Sequence, residues 1–405
     1  MSQSLIVACA IVVALAVGLL LTFTKFARSE SWIATVTPLA SIIGSGFLIC
    51  GPLLAREFGL FAAPAMAILL LLAYAAGWVI RYNIVHVEPH LTEAHTHDPV
   101  QWTARIAKGM LAVAYAISVA YYLKLLAVFG LRPLGQDDNV FLTNLIVTAI
   151  IVALGLLAFT GGLRRVERVA HASVSVKLGL IAGMLAALAL DWVAGGGVAR
   201  PLPPVLLSPA SILMLLGLLI TVQGFETSRY MGDSYDAETR VRTMRNAQLI
   251  ASAIYLLFIL LLTPRLGQAA ETEGVAGVLD VMEAIAPFLG IFVLAGALSS
   301  QLSAAVADSI GSTGIAVELS DRRLSTATGF LLAGGLAIAV TWMTDAIEII
   351  VLASRAFAVF YGMQAILAII VAWKDGKGTA PRYAGFAGVA LMCLVAAVAG
   401  APAEG

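Results

Sequence analysis

Runs of roughly twenty apolar residues, the length a helix needs to cross a bilayer, recur along the whole chain. They fall at 4–23, 32–56, 60–84, 103–129, 140–159, 170–195, 208–230, 246–267, 283–309, 325–343, 346–372 and 383–400. Short charged or Gly/Pro-rich stretches separate them. Hydrophobic residues make up 60% of the chain and charged residues only 12%. A soluble domain has too little interior to hide that much apolar surface. The pattern lacks the residue-by-residue alternation of a transmembrane barrel. The expectation is an all-α polytopic membrane protein of about 12 spans.

Charge fixes an orientation. With the N-terminus outside, the inner loops carry 17 Lys and Arg residues and the outer loops only Arg56, Arg132, Arg200 and Arg265. The positive-inside rule therefore places both termini outside a cell membrane, and the Ala-rich composition suits a bacterial inner membrane. The 24 basic and 24 acidic residues balance, so nothing points to nucleic acid. Cys9, Cys50 and Cys393 lie in apolar segments without metal-type spacing and read as core packing. The first run has neither a basic flank nor a cleavage motif, so it reads as a retained helix.

Two spans carry odd chemistry at mid-depth. The second reads TPLASIIGSGFLICGP, with Gly44, Ser45 and Gly46 in its middle. The seventh reads LLITVQGFETSRYMGD, with Gln223, Gly224 and Glu226. Glycine inside a helix costs about 1 kcal/mol. Such sites mark either close packing through small residues or a broken helix whose free backbone groups bind ions and polar ligands. The two spans open two five-helix sets, 32–195 and 208–372, flanked by an extra helix at 1–31 and another at 382–405. Five is odd, so the sets are inverted in the membrane. Interrupted helices at matching positions of inverted halves point to a secondary transporter.

GSGF at 44–47 and GFE at 224–226 resemble the first- and sixth-helix motifs of amino acid permeases in the amino acid–polyamine–organocation superfamily. GGLRRV at 161–166, TSRYMGDSYDAETRVRTMRNAQLI at 227–250 and LAGALSSQLSAAVADS at 294–309 resemble the sodium:solute symporters more closely. The resemblance implies a LeuT-like 5+5 inverted repeat with discontinuous core helices 1 and 6. It also implies a coupling cation, Na+ or H+, held by the carbonyls of Ala40 and Ile43 and by hydroxyls of core helix 8. Aligned on the hydroxyls, the latter are Ser299 and Ser300. Aligned on Gln301 and Leu302, the pair falls on Gly296 and Ala297, which have no side-chain oxygen. Lys177, about nine residues into its span, resembles the lysine of some proton-coupled permeases whose ammonium replaces sodium. The other reading is that it snorkels to the interface.

Ionisable residues at membrane depth are functional candidates. Glu226 lies beside the second break, with Arg355 as an expected ion-pair partner. Asp308 is expected near the inner end of its helix as a solvated gate or structural residue, and Lys124 to snorkel outward. Arg229 is expected to pair with Asp233 or Asp236 as an inner gate. The substrate contacts are expected to be Ser41, Gly44, Ser45, Gly46, Phe47, Gln223, Gly224, Phe225 and Glu226. The backbone N–H groups would take a carboxylate and the aromatics would cover an apolar or cationic part. A separate inner loop holds His86, His90, His95 and His97 with Glu88, Glu93 and Asp98, spaced either as a divalent-metal site or as a plain polar loop.

The leading reading is a cation-coupled symporter of a small organic solute, amino acids first, working by alternating access without a cofactor. Its partners are that solute and the lipid bilayer. A metal or inorganic-ion transporter rests only on the histidine loop. A membrane sensor or intramembrane enzyme lacks support, because no catalytic or ATP-binding pattern occurs.

Overall fold

The computed structural model describes residues 2–44, 46–91, 98–161, 163–195, 208–232, 234–271 and 277–401, and the side chains of 160–173 are outside that description. The helices, in chain order, are α1 (Gln3–Phe23), α2 (Glu30–Ile42), α3 (Gly46–Phe58), α4 (Ala62–His86), α5 (Glu88–Leu91), α6 (Pro99–Leu131), α7 (Val140–Gly161) and α8 (Leu163–Val193). The second half holds α9 (Pro209–Gly217), α10 (Ala237–Leu262), α11 (Leu266–Glu271), α12 (Val278–Ile285), α13 (Pro287–Leu319), α14 (Thr326–Met343), α15 (Ala346–Lys374) and α16 (Ala380–Ala399). Among the described residues there is no strand.

Among the described residues ten helical stretches are long and apolar enough to cross a membrane, α3 and α4 running on as one. The rest of the expected twelve spans is broken up: α2, parted from α3 by an interruption, and α9 with the 3₁₀ turns that follow it. Large apolar side chains such as Val12, Leu15 and Leu19 of α1 and Val152 and Leu156 of α7 stay exposed on the outer surface, where lipid would cover them.

Helix starts follow the local chemistry. Ser29, Asp98, Asp236 and Asp345 each accept a hydrogen bond from a backbone N–H in the first turn of the helix they precede, satisfying donors that the helix leaves free. Several helices outrun their apolar stretch. The cap at Asp236 starts α10 nine residues before the expected span, and α13 continues ten residues past its expected end at 309. These extra turns leave the apolar slab, where polar residues extend a helix as well as apolar ones do.

Packing relates the two five-helix sets. The pairs α4–α10, α6–α13 and α7–α14 each pack together, and the contact of α6 with α15 is answered by that of α13 with α8. A two-fold relation that exchanges the sets requires this pattern. The extra helix α1 lies along α8, where Gly179 and Gly183 meet the carbonyls of Ala14 and Ala10 so closely that a methyl would overlap them. The sequence did not mark out α11 and α12, which pack against α3.

Candidate functional site

The two interruptions meet. α2 ends at Ile42 and α3 begins at Gly46. The seventh span passes from α9 through a 3₁₀ turn at Leu219–Val222, an extended Gln223 and a left-handed Gly224 (φ +116°) into a second 3₁₀ turn, Phe225–Tyr230. Each break is seated on the other. A Cβ on Gly46 would lie 2.6 Å from the Thr221 Cα and carbonyl oxygen. A Cβ on Gly224 would lie 2.6 Å from the Ser41 carbonyl carbon. Glycine is thus needed for close approach at both positions and for the backbone angle at Gly224. The Tyr255 hydroxyl of α10 reaches both the Ile42 carbonyl, at 3.1 Å, and the Thr221 carbonyl. The freed Ile220 N–H donates to Ser354 Oγ on α15 at 2.9 Å.

A cavity of about 430 Å³ leads to this junction, lined by Thr37, Ala40 and Ser41 of α2, Tyr115 of α6, Thr227 and Tyr230, and Ser303 to Glu318 of α13. Its rim is at the end of the bundle where Lys108 pairs with Glu318 (2.5 Å) and Arg105 with Asp321 (3.3 Å), hereafter the basic end. On the opposite side of the junction Phe47 packs edge-on against Tyr255 and Phe258, with ring centroids 6.0 and 5.2 Å apart. Phe47 is not among the residues that line this cavity, but it lines a smaller pocket together with Lys177 and Ser300.

Glu226 is fully buried. It accepts hydrogen bonds from the Tyr361 hydroxyl (2.8 Å), the Tyr115 hydroxyl (3.3 Å) and the Gly224 N–H (3.0 Å). The expected Glu226–Arg355 pair does not form. Arg355 is turned outward along α15, and its Nε and Nη2 donate to the Gly400 carbonyl at 3.1 and 2.7 Å. Asp308 is not a solvated gate: it is 1% exposed and accepts from Ser118 on α6. Phe225 stacks on Tyr361 with centroids 5.2 Å apart. Gln223 donates to the Tyr122 hydroxyl at 3.2 Å, and the Tyr122 ring covers Gly44. Ser45 lies outside the described residues.

At the expected cation position, Lys177 of α8 donates from Nζ to the Ala40 carbonyl at 2.7 Å and is 1% exposed. It does not snorkel to the interface. Ser300 donates to the Ile43 carbonyl at 3.3 Å, which favours the alignment on the hydroxyls for that residue. Ser299 is half-buried. Lys124 does not snorkel either: it donates to the Thr341 and Thr344 carbonyls, where the C-terminal end of α14 attracts a cation.

Arg229 does not pair with Asp236, which caps α10 instead (Thr239 N–H at 2.7 Å); Asp233 lies outside the described residues. Arg229 stands 3.8 Å from Glu88 and donates to Gln364 of α15. Arg240 donates to both Glu88 oxygens, at 3.0 and 2.7 Å, and to the Arg229 carbonyl at 2.8 Å. Asp236 sits one turn before Arg240 and is held by its own helix, so the nearer carboxylate across the packed helices takes the guanidinium. In the histidine loop His90 pairs with Asp375 at 3.0 Å, while Glu93, His95 and His97 lie outside the described residues. Among the described residues no three His, Cys, Asp or Glu side chains gather as a metal set.

Sequence reasoning missed Tyr115, Ser118, Tyr122 and Tyr361. The signal was the polar face AYAISVAYY of α6, where 115, 118 and 122 recur at helical spacing.

A family model described as APC superfamily transporter matches residues 24–400. An uncharacterised protein of Aquifex aeolicus (strain VF5) is 36% identical over 357 residues, which is 86% of this chain and 86% of that protein. A solved Na+-coupled sialic acid symporter, in its substrate-bound outward-open state, shows 14% identity and a TM-score of 0.47 over 99% of this chain and 98% of its own.

Proposed function

Because the chain belongs to the APC superfamily of transporters, we propose that it is a proton-coupled symporter of a small zwitterionic solute, an amino acid or close relative. The observation that carries this reading is the ammonium of Lys177 on the Ala40 carbonyl, 2.7 Å away, at the position where a sodium symporter of this kind would hold its ion. A proton gained by Lys177 puts a positive charge between α8 and the broken helix. A proton lost withdraws it. The loaded and unloaded forms thereby bind the two arrangements of the bundle unequally, and only such a difference can drive alternating access.

The break supplies the substrate groups. The first N–H groups of α3, at Gly46 and beyond, have no partner within the helix and suit a carboxylate. The Thr37 and Ser41 hydroxyls of α2 on the cavity wall can accept from an ammonium. The cavity brings hydroxyls from Thr37, Ser41, Thr227 and Ser303 and the rings of Tyr115 and Tyr230. Its open side faces the basic end, which the positive-inside rule puts in the cytoplasm.

The test is uptake of radiolabelled amino acids into liposomes under a proton gradient and, separately, a sodium gradient. Proton-driven uptake should be lost in Lys177→Ala. Lys177→Arg keeps a permanent charge, so it should still bind substrate yet fail to accumulate it. Sodium-driven uptake that persists in Lys177→Ala overturns the coupling assignment. Absence of amino acid uptake under either gradient overturns the substrate class.

A further inference from the structure

Beyond the break, the α6–α13 interface holds an amide whose hydrogen bonds are unused. Gln301 is fully buried, and neither its Nε2 nor its Oε1 has a hydrogen-bond partner among the described residues. It lies on the face of α13 that carries Asp308 and Ser312, seven and eleven residues on, and both of these bond to α6. By helical phase Gln301 therefore faces α6 as well. Gln223, 1% exposed, is in the same condition: its Nε2 serves Tyr122, but its Oε1 has no partner among the described residues.

The two amides are linked to the same break through their neighbours. Ser300 bonds to Ile43, Tyr122 covers the adjacent Gly44, and Gln223 bonds to Tyr122. Gln301 thus sits within about one helical turn of the break, on the α6 side. Ala304, one turn along from Gln301, and Ser41 line the deep end of the cavity. Gln301 stands about 5 Å along α13 from Ala304 on that wall.

A buried polar group is retained against its desolvation cost only if something satisfies it. The unused groups are two carbonyl oxygens and one NH2, all uncharged. They complement a planar neutral group with an N–H beside a C=O, and they give nothing to a methyl or thioether. We propose that Gln301 and Gln223 are the specificity-determining residues of the site, selecting a solute whose side chain ends in a carboxamide, ureido or lactam group. This rests on the amino-acid reading above for the other end of the solute.

The test is thermal melting of the purified full-length protein and its Gln301→Leu variant, alone and with L-glutamine, L-citrulline, hydantoin, L-methionine or L-leucine. L-Glutamine and L-citrulline should stabilise the wild type at concentrations about tenfold or more below L-methionine, because a site built for hydrogen bonds rejects a ligand lacking them. Gln301→Leu should erase that preference and leave L-methionine unchanged. Without ligand the variant should melt no lower than the wild type, since no protein hydrogen bond is lost. Equal response to L-glutamine and L-methionine in the wild type overturns the proposal and leaves the amino-acid reading standing. Response to hydantoin alone, abolished by Gln301→Leu, upholds the proposal and overturns that reading. A ligand-free Gln301→Leu that melts well below the wild type shows an amide satisfied by ordered water inside the bundle and overturns the proposal. No response to any compound overturns both.

Discussion

Two glycines with positive φ show how position decides the effect of one methyl group. Gly224 is at +116° with the Ser41 backbone against it, whereas Gly135 is at +61° with nothing within 4 Å. Gly135→Ala should cost only the backbone penalty, about 1–2 kcal/mol. Gly224→Ala adds an overlap with main chain that cannot move aside, worth about 1–3 kcal/mol more. Melting temperatures of the two variants should separate accordingly, and equal losses would mean that the Ser41–Gly224 contact yields freely. The same scale shows what the sequence withheld. Gly44, Gly46 and Gly224 were legible as interruptions because glycine at mid-span is costly. The partners of Glu226 were not, because an ionic partner was sought and the site is built from phenols. Arg355 matched by charge and depth, and only the packing of α15 shows that it points the other way.

At the scale of elements, ion pairs at the basic end tie segments that are distant in sequence. Asp98 caps α6 through Val100 (3.0 Å) and pairs with Lys374 at the end of α15 (2.7 Å). The Lys374 ammonium, helped by the Val100 N–H, holds the Asp98 carboxyl below the usual carboxylate range. A group lowered on folding stabilises above its ordinary range and ceases to do so as pH falls through its lowered one. The melting temperature of Asp98→Asn should therefore lie below the wild type at neutral pH, with the gap closing in strong acid. A gap independent of pH would locate the effect in the helix cap and not in the pair. Element number was legible from apolar run length, and helix ends were not. Caps such as Asp236 and the polar final turns of α13 extend helices past the lipid, beyond the reach of a hydrophobic count.

For the whole molecule, the cavity reaches the junction from the basic end, with Thr37 and Ser303 on its wall and Phe47 packed against Phe258 beyond the junction. Thr37→Cys or Ser303→Cys, in a background with Cys9, Cys50 and Cys393 replaced, should react with a membrane-impermeant thiol reagent from the cytoplasmic side alone. Labelling only from outside would reverse the topology that the loop charges give. The inverted architecture was legible because it follows from counting spans and locating two breaks. The direction in which the cavity faces was not, since both arrangements of such a bundle share one sequence.

The mutual seating of the breaks, Gly46 on Thr221 and Gly224 on Ser41, has a mechanical consequence. Each backbone fills the notch of the other, as in a halved timber joint, so neither interrupted span can slide along its neighbour without lifting out. A covalent tie across that joint should be tolerated during turnover, because the two spans travel together. The hinge then has to lie where they meet α8 and α13, along the surfaces bridged by Lys177 and Ser300.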